Sequence, residues 1–137
     1  MTDQDKDIRW LQRFSNFKKA YNQLCEFLEI DELNKFEKQG FIKAFEYTFE
    51  LAWKSLQDLL KDEGYKNVVG PRSVIEQSFQ VGYILDGEGW MEMLKRRNEA
   101  SHTYQEEIAE RIATGIREEF ADLFGALLKR LEDEEGA

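Results

Sequence analysis

The chain has 137 residues, 42% of them hydrophobic and 13% aromatic, and this predicts one globular domain over residues 1–137 with a sizeable core. Lysine and arginine total 19 and aspartate and glutamate total 28, so the formal net charge is −9, which argues against broad nucleic-acid binding because that needs a basic surface. The chain shows no run of about 18 apolar residues, no signal-peptide pattern and only one cysteine. We therefore expect a cytoplasmic protein that does not enter a membrane.

Residues 5–62 carry two long helical patterns. Apolar residues recur every three or four positions in both, which is typical of helices that bury one face against a core. The first predicted helix covers about residues 5–29. The second covers about residues 32–62, with Asp31 as its N-cap and Gly64 in the left-handed position after its end. Gly40 interrupts the second pattern and predicts a kink or the close approach of another backbone.

Three further helices are predicted after residue 70. Pro71 suits the first turn of a short third helix, where its missing N–H is not needed, and Gly82 ends that helix. Asp86 is placed to cap a fourth helix that reaches about residue 100. Thr103 and Glu106 match a capping box, in which each side chain accepts a hydrogen bond from the other's backbone N–H. The fifth helix is therefore predicted to begin near Thr103.

These patterns also define the residues that should face the core. They are Ile8, Leu11, Phe14, Phe17, Tyr21, Leu24 and Leu28 in the first helix; Phe41, Phe45, Phe49, Trp53, Leu56 and Leu60 in the second, with Ala52 and Leu59 beside them; Val74, Ile75 and Phe79 in the third; Trp90, Met91 and Leu94 in the fourth; and Ile108, Ile112, Ile116, Phe120, Leu123, Leu127 and Leu131 in the fifth, with Phe124 and Leu128 beside them. No segment alternates apolar and polar residues over a useful length. The sequence predicts an all-α fold, a compact bundle of about five helices with an up-and-down core.

The best candidate for a functional site is the segment Arg97-Asn98-Glu99-Ala100-Ser101-His102-Thr103-Tyr104. It contains the only histidine of the chain, and a neutral imidazole exchanges protons near neutral pH because its ordinary pKa is about 6.5. Arg97 supplies a permanent cation whose planar donors suit phosphate or carboxylate. Beside a helix N-terminus, Arg97 and His102 would form a small anion site suited to proton transfer. Both residues also fit purely structural roles at helix ends.

Other chemistries find less support in the sequence. We interpret Lys95 and Arg96 as solvated helix surface. One histidine, one distant cysteine and scattered carboxylates match no metal-ligand spacing, so no metal site is predicted. The segment Gly87-Glu88-Gly89 lacks the further residues of a phosphate-binding loop, and no serine or cysteine has an arranged catalytic partner. We therefore expect no cofactor.

Several motifs resemble those of known families. Arg97-Asn98, three further residues and His102 resemble the Arg-polar-x-x-x-His motif of the HEPN superfamily, all-α domains that include many RNases. His102-Thr103-Tyr104 is similar to the His-x-Tyr variant of HEPN proteins paired with small nucleotidyltransferases. The stretch Phe45-Glu46-Tyr47-Thr48-Phe49-Glu50-Leu51-Ala52-Trp53-Lys54 resembles the second-helix signature of the nucleotidyltransferase substrate-binding protein family, and Gly70-Pro71-Arg72 and Trp90-Met91-Glu92-Met93-Leu94 resemble its later blocks. The resemblance covers nearly the whole chain.

The resemblance implies a HEPN-like bundle that forms a homodimer and binds a minimal nucleotidyltransferase. In toxin–antitoxin pairs of this type, the HEPN subunit is an RNase toxin, and its partner silences it by transferring AMP to the tyrosine of His-x-Tyr, here Tyr104. Carried to this chain, it makes Arg97 and His102 the catalytic pair of a metal-independent endoribonuclease across a dimer cleft. Asn98 would support them by orienting the phosphate or the imidazole ring, and RNA would be the substrate.

Two functions remain open from the sequence. The first is the RNase toxin. The second is a non-catalytic subunit that binds or positions substrate for the nucleotidyltransferase, and the acidic composition slightly favours it because an RNase needs a surface that accepts phosphate. A helical scaffold that only dimerises is a third alternative.

Overall fold

The computed structural model describes the backbone of residues 3–136 and the side chains of residues 8–136. Helix α1 spans Asp3–Leu28, α2 spans Lys35–Asp62, α3 spans Pro71–Val81 and α4 spans Gly87–Glu99. A 3-10 turn, Ala100–His102, precedes α5 (Glu106–Gly115), a π-helical turn (Ile116–Phe120) and α6 (Ala121–Glu135), and these last three continue one another as one rod. No strand occurs within residues 3–136, so the predicted all-α bundle of about five helical rods is confirmed.

Helices α1 and α2 pack along each other as the main hairpin of the bundle. Phe14, in the predicted stripe of α1, is fully buried, but the start of that stripe is wrong. Ile8 is 47% exposed and Leu11 is 41% exposed, whereas Trp10 is buried. Trp10 lies four residues before Phe14 and therefore only about 40° from it around the helix axis. Ile8 lies six residues before Phe14 and about 120° from it. The core face of α1 therefore begins at Trp10.

The start of α2 differs from the prediction because a better cap lies three residues beyond the predicted one. Asn34 Oδ1 accepts a hydrogen bond from the Glu37 N–H at 2.8 Å, and Glu37 Oε1 accepts one from the Asn34 N–H at 2.9 Å. These two bonds form a complete capping box, so the helix begins at Lys35. At Gly40 the close neighbour is a side chain and not a backbone, since a Cβ there would lie 3.1 Å from Phe27 Cζ.

Five aromatic side chains join α4 and α6 to α2. The Phe45 ring lies 5.6 Å from Phe120 and 6.1 Å from Phe124 between ring centroids. Trp90 of α4 lies 6.3 Å from Phe49 and 5.9 Å from Phe124. All five are at most 2% exposed. Because buried aromatic rings dominate packing energies, this cluster determines how α4 sits on α2, and hence where the segment after α4 lies.

The predicted boundaries of α3 and α4 are confirmed. Pro71 is the first residue of α3, and Gly82 follows its last residue with a φ of 91°, a left-handed conformation that glycine adopts without strain. Asp86 caps α4, because its Oδ1 accepts a hydrogen bond from the Gly89 N–H at 2.9 Å. The local signals in this part of the sequence therefore decide the helix ends.

Two residues predicted for the core of these helices lie at its edge. Phe79 is 48% exposed, and its ring rests against Gly87, where a Cβ would meet it at 2.7 Å. Met91 is half-buried. Val74 and Ile75 are buried as predicted. The two helices thus face the core with a narrower stripe than the sequence indicates.

The C-terminal rod contains a feature that its periodicity does not predict. The residues Ile116–Phe120 form a π-helical turn, which adds one residue to the helical repeat at that point. After the turn Phe124, Leu127 and Leu131 are buried as predicted, whereas Leu123, predicted for the main stripe, is only half-buried. Gly115 lies just before the turn, and a Cβ there would come within 2.7 Å of the Phe120 ring.

Candidate functional site

The candidate segment lies where the chain passes from α4 to α5, and we refer to residues 97–106 as the α4–α5 corner. The prediction that Thr103 caps the last helix is wrong. Thr103 has helical backbone angles (φ −71°, ψ −3°), whereas an N-cap is normally extended. The extended residue is Gln105, and α5 begins after it. The Gln105 N–H donates to the His102 carbonyl at 3.0 Å. His102 therefore ends a 3-10 turn, and Tyr104 lies in the loop before α5.

Arg97, near the end of α4, is bound to α2. Its Nη2 lies 2.6 Å from Glu50 Oε2, and its guanidinium carbon lies 5.8 Å from the centre of the Phe49 ring. Its Nη1 donates to Asn98 Oδ1 at 3.2 Å. The predicted supporting residue, Asn98, is thus in contact with Arg97. The guanidinium is already occupied by an internal carboxylate, so it is not an empty anion site in this state.

The environment of Glu50 keeps its carboxylate charged. Burial acts to raise the pKa of Glu50, but the Trp53 indole and the Arg97 guanidinium outweigh it, and the Lys54 ammonium lies 3.3 Å away. The net effect holds the pKa of Glu50 below its usual value. The indole N–H is buried without a hydrogen bond of ordinary geometry, yet it lies near enough to favour the carboxylate.

His102 and Tyr104 form a second, more open pair. His102 Nδ1 lies 3.3 Å from the Tyr104 hydroxyl, and the two rings meet edge to face with centroids 5.9 Å apart. Tyr104 is 76% exposed, and His102 is also exposed. When the proton of the neutral imidazole is on Nε2, Nδ1 accepts a hydrogen bond from the Tyr104 hydroxyl. This pair therefore presents a hydroxyl to solvent beside a base.

The four residues predicted from the sequence are brought into two pairs and not into one cluster. Among the described side chains, no hydrogen bond or ion pair joins Arg97 and Asn98 to His102 and Tyr104. Sequence reasoning missed Glu50, which lies in the stretch that carries the family resemblance. The only sequence signal for Glu50 is its position next to the core residue Phe49. That position does not indicate which helix the Glu50 side chain contacts.

The interpretation of Arg96 as solvated surface is wrong. Arg96 is only 7% exposed, its Nη2 lies 2.9 Å from Glu92 and its Nη1 lies 3.0 Å from Glu99. Glu99 also pairs with Arg111 of α5 at 3.4 Å. Lys95, by contrast, is exposed. Glu99 therefore ties the end of α4 to α5 through Arg111, and Arg96 holds the Glu99 carboxylate in place beside the α4–α5 corner.

A groove of about 430 Å³ opens beside Tyr104, between the start of α2 and the α4–α5 corner, and we call it the Tyr104 groove. Its lining residues are Lys35, Lys38, Gln39, Thr103, Tyr104, Glu106 and Ala109. Lys38 Nζ lies 2.5 Å from Glu110. Nothing in the sequence placed these lysines near the tyrosine, since they lie far apart in the chain and only helix packing brings them together.

Two kinds of feature are absent from the part of the chain that the structure describes. It contains no group of three or more histidine, cysteine, aspartate or glutamate side chains placed to hold a metal ion. None of its helices is both long enough and apolar enough to cross a membrane.

Comparison with known proteins identifies the family. Residues 12–133 match the family described as nucleotidyltransferase substrate binding protein like, and the chain belongs to it, as the sequence motifs predicted. A crystal structure of a protein from Thermus thermophilus is similar to this chain at 31% identity and a TM-score of 0.76, over 84% of this chain and 98% of that one. A search of curated proteins gives no match.

Proposed function

We propose that this chain is the non-catalytic subunit of a two-component nucleotidyltransferase, and that Tyr104 is the hydroxyl that accepts AMP from ATP. One observation carries the proposal: Tyr104 is 76% exposed, and its hydroxyl lies 3.3 Å from His102 Nδ1. The next most exposed of the five tyrosines is Tyr47, at 36%. The family description names a nucleotidyltransferase, which supplies the kind of partner.

The chemistry requires a base at the tyrosine and an ATP site on the partner. The phenolic oxygen attacks the α-phosphorus of ATP as His102 Nδ1 takes the phenolic proton. The bond from the α-phosphorus to the bridging oxygen breaks, pyrophosphate leaves, and AMP remains joined to the tyrosine by a phosphodiester. The imidazolium then returns its proton to solvent. A positioned general base typically accelerates such a step by 10²–10⁴-fold.

The test is to incubate the purified chain with its nucleotidyltransferase partner and ATP, and to map the modified residue by mass spectrometry. We expect AMP on Tyr104, none on the Tyr104→Phe variant and slower modification of His102→Ala. Tyr47→Phe is the matched control, because Tyr47 is the next most exposed tyrosine and donates to Gln23 at 2.5 Å. Modification at another residue with Tyr104 untouched would reject the acceptor role.

The second candidate function is a metal-independent endoribonuclease, the toxin of a toxin–antitoxin pair. The exposed imidazole of His102, on the corner that follows Arg97, favours it. The ribose 2′-OH would attack the adjacent phosphate, His102 would take or deliver a proton, and Arg97 would stabilise charge on the phosphorane. One histidine cannot easily serve as acid and base in the same turnover. A homodimer with two copies of the pair at one cleft is therefore part of this candidate.

Two observations weigh against the endoribonuclease. Glu50 occupies the Arg97 guanidinium at 2.6 Å, and the chain carries a net charge of −9. The test compares growth of cells that express wild type or His102→Ala at matched levels, followed by RNA cleavage in vitro. Cleavage that disappears in the variant would establish the RNase, and equal cleavage would remove it from this site. AMP on Tyr104 would then silence the enzyme, because it adds bulk and negative charge beside His102.

A further inference from the structure

We infer that the Tyr104 groove is the seat of the adenylyl group after transfer, and that Lys35 and Lys38 bind its phosphate. This inference rests on the proposed role of Tyr104 as AMP acceptor. It adds a binding site, a ligand class and two residues that neither the sequence motifs nor the family description assigns. The ligand is a nucleoside monophosphate held by an ester to the tyrosine.

The size and position of the groove suit that ligand. Its volume of about 430 Å³ lies within the range of sites that hold small molecules, which is about 300–1,000 Å³. Tyr104 forms part of its wall, so a group joined to the tyrosine oxygen starts at the groove and needs little freedom to enter it. The start of α2 contributes Lys35, Lys38 and Gln39 to the lining. The ligand is thus held between two elements that the fold already fixes.

The charges around the groove suit a phosphodiester. Lys35 and Lys38 lie three residues apart on one helix, so their side chains emerge on the same face. An ammonium group is a compact point charge that pairs well with phosphate. Glu106 lines the groove as well, and Glu110 beside it pairs with Lys38, so two carboxylates balance the two lysines. Lys35 and Lys38 are nevertheless the cations of its lining, and Lys35 has no ion-pair partner among the described residues.

The existing ion pair of Lys38 does not prevent this binding. Lys38 Nζ lies 2.5 Å from Glu110, whose carboxylate is 58% exposed. Exposed ion pairs contribute little, because water solvates the separated carboxylate almost as well. Lys35 forms no ion pair with any of the described residues. Arrival of the phosphate would therefore transfer Lys38 from Glu110 to the ligand and would engage Lys35 for the first time.

The experiment tests binding of the attached AMP in the groove independently of the transfer reaction. The chain is adenylylated with its partner and ATP, purified away from the partner, and its melting temperature is compared with that of unmodified chain. We expect AMP to raise the Tm of wild type by on the order of 4 °C, and to leave the Tm of Lys35→Ala/Lys38→Ala almost unchanged. Lys43→Ala is the matched control, because Lys43 is an exposed lysine of α2 outside the groove. Lys35→Arg/Lys38→Arg should retain the gain.

Each outcome bears on one of the two proposals. Wild type that receives no AMP on Tyr104 would reject the acceptor role and the seat together. Modification of Tyr104 with the same Tm gain in the double alanine variant would keep the acceptor role and reject the seat. If the lysines served only to dock the partner, the rate of modification would fall but the Tm gain would persist. A measurement on wild type alone adds a check, since a phosphate–lysine contact predicts that the gain shrinks in high salt.

Discussion

The pair formed by Glu50 and Arg97 makes the sharpest prediction about the α4–α5 corner. Replacing Glu50 with glutamine keeps the size of the side chain and removes its charge. Arg97 then loses its ionic partner at 2.6 Å, and Lys54 loses one at 3.3 Å. We expect Glu50→Gln to destabilise the fold, because the carboxylate of Glu50 is the contact that joins the end of α4 to α2 by charge.

The magnitude follows from the geometry and the exposure. A hydrogen bond to a charged group contributes about 1.5–3 kcal/mol when it is sheltered. The side chains of Arg97 and Glu50 are 30% and 31% exposed, so solvent screening reduces this value toward the contribution of a surface pair. We therefore expect a loss of about 1 kcal/mol, which corresponds to a fall of roughly 4 °C in Tm for a domain of this size.

The dependence on pH has a defined sign. The pKa of Glu50 is lowered in the folded state, so the unfolded chain binds a proton more readily than the folded chain does. The stabilisation is therefore complete above the ordinary glutamate pKa of about 4.3 and is lost as the pH falls through the folded pKa. Wild type and Glu50→Gln should consequently differ at pH 7 and converge as the pH falls through the lowered pKa of Glu50.

Urea unfolding at several pH values, followed by circular dichroism, measures this difference. Glu46→Gln is the matched control, because Glu46 lies one turn earlier on α2 and forms none of the ion pairs among the described residues. Equal stability of wild type and Glu50→Gln at pH 7 would refute the reasoning. A gap that persisted unchanged at pH values low enough to protonate Glu50 in the folded chain would show that the charge of the carboxylate is not its source.

Three further predictions concern the fold, and urea unfolding measures all of them. Phe124→Ala should lower the free energy of unfolding by about 3–5 kcal/mol because it opens a cavity in the aromatic core. Phe36→Ala should change it little, since Phe36 is 78% exposed. Similar losses in the two variants would contradict the assigned core. Asn34→Ala should lower the free energy of unfolding by about 1 kcal/mol through loss of the capping box. The control is Asn67→Ala, at an exposed loop position. An unchanged urea midpoint in Asn34→Ala would show that the cap is not needed. Arg96→Ala should lower the free energy of unfolding by about 2 kcal/mol or more, because it removes the buried partner of Glu92 and Glu99. Lys95→Ala should be nearly neutral. Equal effects of the two substitutions would show that Arg96 does not stabilise the corner.

The structure also bears on the choice between the two proposed functions. An RNase at this site needs Arg97 to face a phosphate, and Glu50 competes for it within the same chain. The acceptor role needs only an exposed hydroxyl beside a base, and His102 and Tyr104 already provide this arrangement in one chain. A non-catalytic acceptor is therefore the simpler interpretation of the single subunit, whereas an RNase, which would carry the same AMP on Tyr104, depends in addition on assembly and on release of Arg97.

Much of the fold was predictable because its signals are local. Pro71, Gly82 and Asp86 decide helix ends through the conformation of one or two residues, and those predictions are confirmed. Where two local signals competed, the sequence did not show which would prevail. Thr103 matches a capping box, but the 3-10 turn before it leaves its backbone helical, so the cap does not form. Asn34 offered the same pattern, and there the box forms.

The sequence by itself determined the helical pattern, the family and the identity of the residues at the corner, because helix periodicity and short motifs depend on neighbours within a few positions. Only the tertiary structure decided what those residues touch. Packing of α4 on α2 gave Arg97 its partner Glu50, and packing of α2 beside the corner placed Lys35 and Lys38 at Tyr104. Such contacts depend on the angle and rotation of whole helices, which the side chains of the core set together and no single segment encodes.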